Sequence, residues 1–242
     1  MEYFYTPPRL VTPPEISIEG DEFKHLSHVM RLRAGDPLRV VDGAGNAFDA
    51  VVASIGRSAA VCTITASHER LHEPSRAVTL AAGILKNPSR FDFLVEKAVE
   101  LGVRTIVPLL TERTIPRHGN IERWRKLCVA AMKQSGRCVL PAVQPLTSFG
   151  DFVATVPGGV ARFLAHERSR PGVPPAPPSG SQEAVICIGP EGGFSDREVT
   201  AAEVAGFAMV FLGPRRLRTE TAAIAALAAL MQDEVRSASF FS

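Results

Sequence analysis

The sequence predicts an α/β protein in two parts: a small β-rich module over residues 1–73, and a domain over residues 74–242 whose largely parallel sheet is covered on both faces. Three observations carry this. From residue 77 to residue 236, apolar strand-like runs alternate with helix-like periodic segments, the pattern of parallel strands joined by crossover helices. The first seventy residues hold one short helix and several short strand-like runs, the pattern of a small barrel or sandwich. Between them HERLHEPSR (68–76) is polar, contains Pro74 and lacks an apolar period, so it reads as a short linker with the boundary near residue 73.

Composition fits such a protein and excludes little else. Hydrophobic residues make up 45% of the chain, ample for a core. The formal net charge of +2 does not announce a nucleic-acid partner, so the distribution of cations matters more. Lys24, His25, His28, Arg31 and Arg33 crowd together, and Arg215, Arg216 and Arg218 form a second basic run. The four cysteines, Cys62, Cys128, Cys138 and Cys187, lack zinc or iron–sulfur spacing. Cys62 and Cys187 lie in apolar surroundings, which favours buried thiols. With no signal-peptide pattern, this predicts a cytoplasmic protein. The longest apolar run, AAIAALAALM, is much shorter than a membrane span and reads as a buried helix face.

In the first module, the aromatics of MEYFYTPPRL suggest an edge strand, after which Pro7-Pro8 hold Arg9 in an extended segment. DEFKHLSHVMRL reads as a helix with Asp21 as N-cap and Phe23, Leu26, Val29 and Met30 facing inward. PLRVVDG, AFDAVVASIG and SAAVCTITASHERL read as strands, with a hairpin turn over residues 43–46. His25 and His28 lack partners for a metal site and read as surface or half-buried helix residues. The basic helix makes RNA the first candidate partner, although Arg9 reads equally as a solvated edge residue.

In the second domain, AVTLAAGIL is a buried-type strand, followed by a helix over RFDFLVEKAVELGV that stops at Gly102. TIVPLL is the next strand. TERTIPRHGN is a polar, basic loop ahead of the helix IERWRKLCVAAMKQSG, where Trp124 reads as core rather than as a stacking platform. LPAVQPL is extended, residues 149–156 form a brief helix, and GVARFLAHE is a strand ending at Glu167. Residues 168–182 are Pro/Gly/Ser-rich and read as a surface loop. VICIG and MVFLG are strands that empty into charged, Gly-bearing loops, and each loop opens a helix. Ser195 with Glu198 forms a capping box for the first helix, and Thr219, Glu220 or Thr221 begins the second.

Strand ends feeding Gly-rich loops and helix N-termini are where open α/β sheets hold ligands. The P-loop and dinucleotide fingerprints are missing, no nucleophile elbow surrounds Ser195, and no metal cluster is present. GPEGGF and LGPRRLRTET are therefore the candidate ligand loops. Gly189, Gly192 and Gly193 allow close backbone approach.

IGPEGGFSDRE (188–198) together with LGPRRLRTETAA (212–223) resembles the signature of the RsmE family, 16S ribosomal RNA uridine-N3 methyltransferases of the SPOUT superfamily. HLSHVMRLRAGD (25–36), VEKAVELGV (95–103) and ERWRKLCVAAMKQSGR (122–137) extend the likeness over almost the whole chain. The chain departs from the usual pattern at Arg216-Leu217, where Ile-Leu is more typical, and at Met132-Lys133, where a small residue and Glu often stand. The resemblance implies a PUA-like RNA-binding barrel and a SPOUT domain whose last part is threaded into a deep trefoil knot, an exception to ordinary connectivity. It also implies a homodimer that binds S-adenosylmethionine in the knot and acts on 16S rRNA of the small ribosomal subunit, with no metal and no membrane. The cofactor residues it implies are Gly189, Pro190, Glu191, Gly192, Gly193, Leu212, Gly213, Leu217, Arg218, Thr219 and Thr221. Arg9, Lys24, His25, Arg31, Arg33 and Arg216 are the expected RNA contacts.

Methyl transfer from a sulfonium needs positioning and electrostatics more than covalent help. Uridine N3 must lose its proton before or during attack. Glu191, Glu220 and Arg218 are the catalytic candidates: the carboxylates as acceptors, the arginine as oxyanion or phosphate partner. Glu220 reads equally as a first-turn residue satisfying helix amides.

Overall fold

The computed structural model describes residues 2–166 and 182–231. They form two compact units, one of residues up to Glu73 with Val129–Leu140, the other of Pro74–Cys128 with the chain from Pro141 on.

The first unit is a six-stranded sheet: β1 (Tyr3–Tyr5), β2 (Val11–Thr12), β3 (Glu15–Glu19), β4 (Pro37–Val41), β5 (Asn46–Ile55) and β6 (Ala59–Glu69). The order is β1-β4-β5-β6-β3-β2, antiparallel throughout except for the parallel β1–β4 edge. Period-2 alternation drives Ile16, Ile18, Leu38, Val40, Ala50 and Val52 into one apolar cluster. The β4–β5 turn is tied by Asp42, whose Oδ1 accepts from the amides of Ala44 (2.7 Å) and Asn46 (3.0 Å).

Helix α1 (Gly20–Lys24) differs from the sequence expectation in two ways. Its N-cap is Glu19 rather than Asp21, which lies in the first turn. From His25 to Val29 the helix widens to a π-turn, with the Met30 amide donating to the His25 carbonyl (2.9 Å). That extra residue per turn shifts the face. Phe23 and Leu26 stay buried, but Val29 is 66% and Met30 39% exposed, and Leu32 packs on the core in their place.

The stretch expected to be a plain polar linker contributes an interior group. The Glu73 carboxylate pairs with Arg137 (2.8 Å), both side chains being 3% exposed. It also accepts from the amides of Cys138 (2.9 Å) and Val139 (2.8 Å). Leu140 donates to the Gly43 carbonyl (2.9 Å), which fastens residues 129–140 to the first unit.

The second unit contains β7 (Ala77–Gly83), α2 (Pro88–Glu100), β8 (Thr105–Leu110), α3 (Ile121–Gln134, its last residues counted with the first unit), β9 (Ala142–Val143), β10 (Thr147–Ser148), α4 (Phe149–Thr155), β11 (Ala161–Ala165), β12 (Glu183–Ile188), α5 (Asp196–Val204), β13 (Ala208–Val210) and α6 (Thr219–Leu230). All its strand pairs are parallel, in the order β10-β8-β7-β12-β11-β13 with β9 beside β8. The near-continuous apolar runs of β7 and β12 follow from burial on both faces. Val185 and Cys187 pack with Phe149, Phe152 and Phe194 on one face, while α6 packs against β7, β12 and α2. Each fully buried Phe, Leu or Ile contributes roughly 1.5–3 kcal/mol.

MVFLG, expected to be a buried strand, supplies only the three-residue β13, half-buried beside β11. Trp124 is core, its ring tilted 42° to that of Phe91 at 4.5 Å between centroids and its Nε1 donating to Asp92 (3.1 Å). Glu167, the Pro-rich stretch from 168 and the end of the last apolar helix beyond Met231 lie outside the described residues; so does most of the loop read over 168–182.

Candidate active site

The C-terminal ends of β11, β12 and β13 open onto one cleft. Its floor and walls are the two loops singled out in the sequence: Gly189–Phe194 after β12, and Phe211–Gly213 with Arg215–Leu217 after β13. Thr219 and Ala222 of α6, Ala165 and His166 from the end of β11, Arg113 and Asp196 complete it.

Glycine is required in the first loop by packing. A Cβ on Gly189 would stand 3.0 Å from the Gly193 Cα, so the loop folds back on itself there. Gly193 has φ +67°, the left-handed region that favours glycine, and its amide closes the turn on the Pro190 carbonyl (2.9 Å). A Cβ on Gly192 would meet the Arg113 Cβ at 3.0 Å, and Arg113 Nη1 donates to the Gly192 carbonyl (2.9 Å). In the second loop Gly213 has φ +102°. These contacts fold the loop tightly on itself and onto Arg113, and positions 189, 192 and 193 line the cleft without side chains.

The loop leads into α5 through the capping box expected from sequence. Ser195 Oγ accepts from the Glu198 amide (3.1 Å) and Glu198 Oε2 from the Ser195 amide (2.8 Å). The other oxygen, Oε1, accepts from the Glu112 amide (2.9 Å), so the buried Glu198 also fixes the loop after β8 that carries Arg113. Thr111 and Thr114 hold the same loop by a hydroxyl–hydroxyl bond of 3.0 Å.

The two candidate carboxylates converge on Arg90 in the first turn of α2. Its Nε donates to Glu220 Oε1 (3.0 Å) and its Nη2 to Oε2 (2.7 Å), while Nη1 lies 3.4 Å from Glu191 Oε1. Glu191 also accepts from the Lys86 amide (3.2 Å). Burial alone would raise the Glu220 pKa. The Arg90 hydrogen bonds, its own helix amide and the charges of Arg90 and Arg218 outweigh this and hold it below its ordinary 4.5. Glu220 is therefore an engaged carboxylate and a weak base.

Of the residues implied as cofactor contacts, Gly189, Pro190, Glu191, Gly192, Gly193, Leu212, Gly213, Leu217 and Thr219 line the cleft together. Arg218 and Thr221 stand outside its lining, and both are exposed. Arg216 lines it. The other expected RNA contacts belong to the first unit: Arg9 in a short helical turn, Lys24 and His25 on the helix, and Arg31 and Arg33 just after it. Lys24 pairs with Asp21 (3.0 Å), and His25 lies 3.7 Å from Glu2. Sequence reasoning gave no role to Arg113, His166 and Asp196 in the cleft or to Arg90 behind it, and it named Arg215 only as part of the second basic run. The basic TERT loop follows β8 as a ligand loop follows a strand, which was a usable signal for Arg113. Among the described residues no group of three or more His, Cys, Asp or Glu is placed to hold a metal ion.

The family model of an RNA methyltransferase domain matches residues 72–231, and that of an RNA methyltransferase PUA domain matches residues 18–65. The ribosomal RNA small subunit methyltransferase E of Synechocystis sp. is 35% identical over 232 residues, covering 91% of this chain and 76% of the relative. The crystal structure of a ribosomal RNA small subunit methyltransferase E from Neisseria gonorrhoeae bound to S-adenosyl methionine superposes with a TM-score of 0.87 at 32% identity, covering 96% of this chain and 97% of the other. A putative methyltransferase from Legionella pneumophila, in complex with the bound cofactor SAM, gives 0.83 at 28% identity, with 96% and 97% coverage.

Proposed function

The chain belongs to the RsmE family of ribosomal RNA small subunit methyltransferases in the SPOUT superfamily, and on that basis we propose that it methylates N3 of a uridine in 16S rRNA with S-adenosylmethionine as donor. The observation that carries the reading is the meeting of the GPEGG and LGPRRLRTET loops in one cleft at the ends of parallel strands. Two relatives of the same fold are described as S-adenosylmethionine complexes.

When bound, S-adenosylmethionine supplies an electrophilic methyl group on sulfur. Gly189–Gly193 and Leu212–Gly213 present the backbone that holds it, and Leu217 and Thr219 close the wall. With that group in the cleft, uridine N3 would pass its proton to solvent and attack the methyl carbon in line, the carbon–sulfur electron pair leaving with sulfur as the neutral thioether. Arg218, exposed at the start of α6, stabilises the uridine oxyanion that forms as N3 is deprotonated. Arg216 engages RNA phosphate at the cleft. Arg9, Lys24, His25, Arg31 and Arg33 give the PUA-like unit its RNA surface.

The finer topology belongs to the same reading. β13 lies on the far side of β11 from β12, yet α6 follows directly and packs against β7, β12 and α2. That return path supports a trefoil knot through which residues 211–231 are threaded. A homodimer completes each cleft. Cytoplasmic location is supported by four buried cysteine thiols; none of the described helices is long and apolar enough to cross a membrane.

The test is methyl transfer to small ribosomal subunits from a strain lacking this protein, followed by nucleoside analysis. N3-methyluridine in 16S rRNA is the expected product. A methylated nucleotide of another kind would assign a different knotted-methyltransferase activity, and no S-adenosylmethionine binding in calorimetry would leave an RNA-binding assembly factor.

A further inference from the structure

The two loops of the cleft are separated in the chain by α5 and β13, so their spacing has to be fixed by something outside them. Arg90 is placed to do this. It does not line the cleft. Its guanidinium spends Nε and Nη2 on Glu220, in the first turn of α6, and turns Nη1 toward Glu191 in the first loop. The preceding loop adds the Lys86 amide on the same Glu191 oxygen. A planar, three-nitrogen fork can address two carboxylates in this way, whereas a lysine ammonium is a single point of charge.

The energetics favour a strong effect from this contact. The Glu220 side chain is 11% exposed and that of Arg90 26%, so the pair is shielded beyond an ordinary surface ion pair. Removing the guanidinium strands a nearly buried carboxylate without its counter-charge. Glu220 then moves toward solvent, and it sits between Thr219 and Ala222, which form the cleft wall. Glu191, itself part of the lining, loses its charged partner in the same event and keeps only the Lys86 amide.

We propose that Arg90 is a positioning residue that sets the spacing of the two cofactor loops, so that cofactor affinity depends on a side chain outside the cleft surface. The proposal rests on the assignment of this cleft to S-adenosylmethionine. A purely structural brace would alter thermal stability and leave the affinity of the folded protein unchanged.

Calorimetric titration with S-adenosylmethionine, at a temperature where each variant is folded, is paired with amide hydrogen exchange across residues 189–193 in the ligand-free protein. Arg90→Gln weakens binding by about tenfold, the weight of one charge-assisted hydrogen bond, and speeds exchange in the loop. In steady-state kinetics it raises KM for the cofactor more than it lowers kcat. Arg90→Lys, which keeps the charge and loses the fork, falls between. Affinity and exchange equal to wild type in Arg90→Gln overturn the proposal, whatever happens to Tm. If Arg90→Gln does not fold, Arg90→Lys decides in the same way, wild-type values overturning it. Absence of S-adenosylmethionine binding by the wild-type protein removes the assigned function instead, and the ligand-free exchange still decides whether Arg90 sets the loop.

Discussion

A Cβ on Gly83 would stand 2.6 Å from both the ring Cδ and the amide nitrogen of Pro190. The end of β7 and the first cleft loop therefore meet with no room for a side chain. Gly83 closes the β7–β8 ladder opposite Leu109, so its own backbone has little freedom to retreat. Gly83→Ala should push Pro190 outward, costing about 1–3 kcal/mol as an overpacked site and weakening S-adenosylmethionine binding. Urea denaturation and calorimetry on the same preparation check both effects. Unchanged affinity with reduced stability would mean that the loop re-forms around the methyl group.

Glu198 does two jobs, and the second sets it apart from an ordinary cap. Ser195→Ala removes the cap acceptor and should cost about 1 kcal/mol. Glu198→Ala strips the acceptor from the part-buried Glu112 amide and from the buried Ser195 amide together, and a buried donor such as the latter left unsatisfied costs about 1–3 kcal/mol. Glu198→Ala is therefore expected to lower the denaturation midpoint clearly more than Ser195→Ala. Equal midpoints would show that water replaces the Glu112 contact.

How much of this is legible in the sequence depends on the range of the interaction. The strand–helix alternation, the Ser195–Glu198 cap and the buried Trp124 follow from spacing within a few turns, and local pattern carries them. Val29 and Met30 fit the helical period equally well, but a π-turn moves them to solvent, and side-chain pattern does not encode a change of backbone hydrogen bonding. Glu73 looks like linker because its partners, Arg137, Cys138 and Val139, are remote in the chain. The same holds for the cleft. Its two loops announce themselves through glycine and charge after apolar strands, whereas Arg90 reads as one more cation in a helix first turn until Glu191 and Glu220 are folded onto it.

The depressed pKa of Glu220 gives the Arg90 pair a pH signature. A carboxyl whose folded value lies below its ordinary 4.5 contributes stability that is fully present above that ordinary value. The contribution is lost as pH falls through the lower folded value. The stability difference between wild type and Glu220→Gln should thus be flat from about pH 6 to 8 and shrink as the solution is acidified below the ordinary carboxylate range. Chemical denaturation of both proteins across that range measures it. A difference that grows on acidification would reverse the sign and exclude an ionised Glu220 in the folded state.

Arg218 separates substrate chemistry from cofactor binding. It caps the start of α6 without a side-chain bond to the helix, it is exposed, and it lies outside the cleft lining although its neighbours Leu217 and Thr219 belong to it. A cation in that position reaches RNA more readily than it reaches a ligand seated between the glycine loops. If it stabilises the developing uridine oxyanion, Arg218→Ala should lower the single-turnover methylation rate by about 10²–10³-fold, the scale of losing one oxyanion donor, while S-adenosylmethionine affinity changes little. The rate should also recover in part as pH rises, because hydroxide-assisted deprotonation of uridine takes over what the arginine favoured. Its charge also helps to hold Glu220 ionised, so a parallel calorimetric titration of Arg218→Ala is needed to show that the second loop is intact. Equal losses of rate and cofactor affinity would assign Arg218 to the loop and leave the oxyanion to another cation of the cleft, Arg113, Arg215 or Arg216.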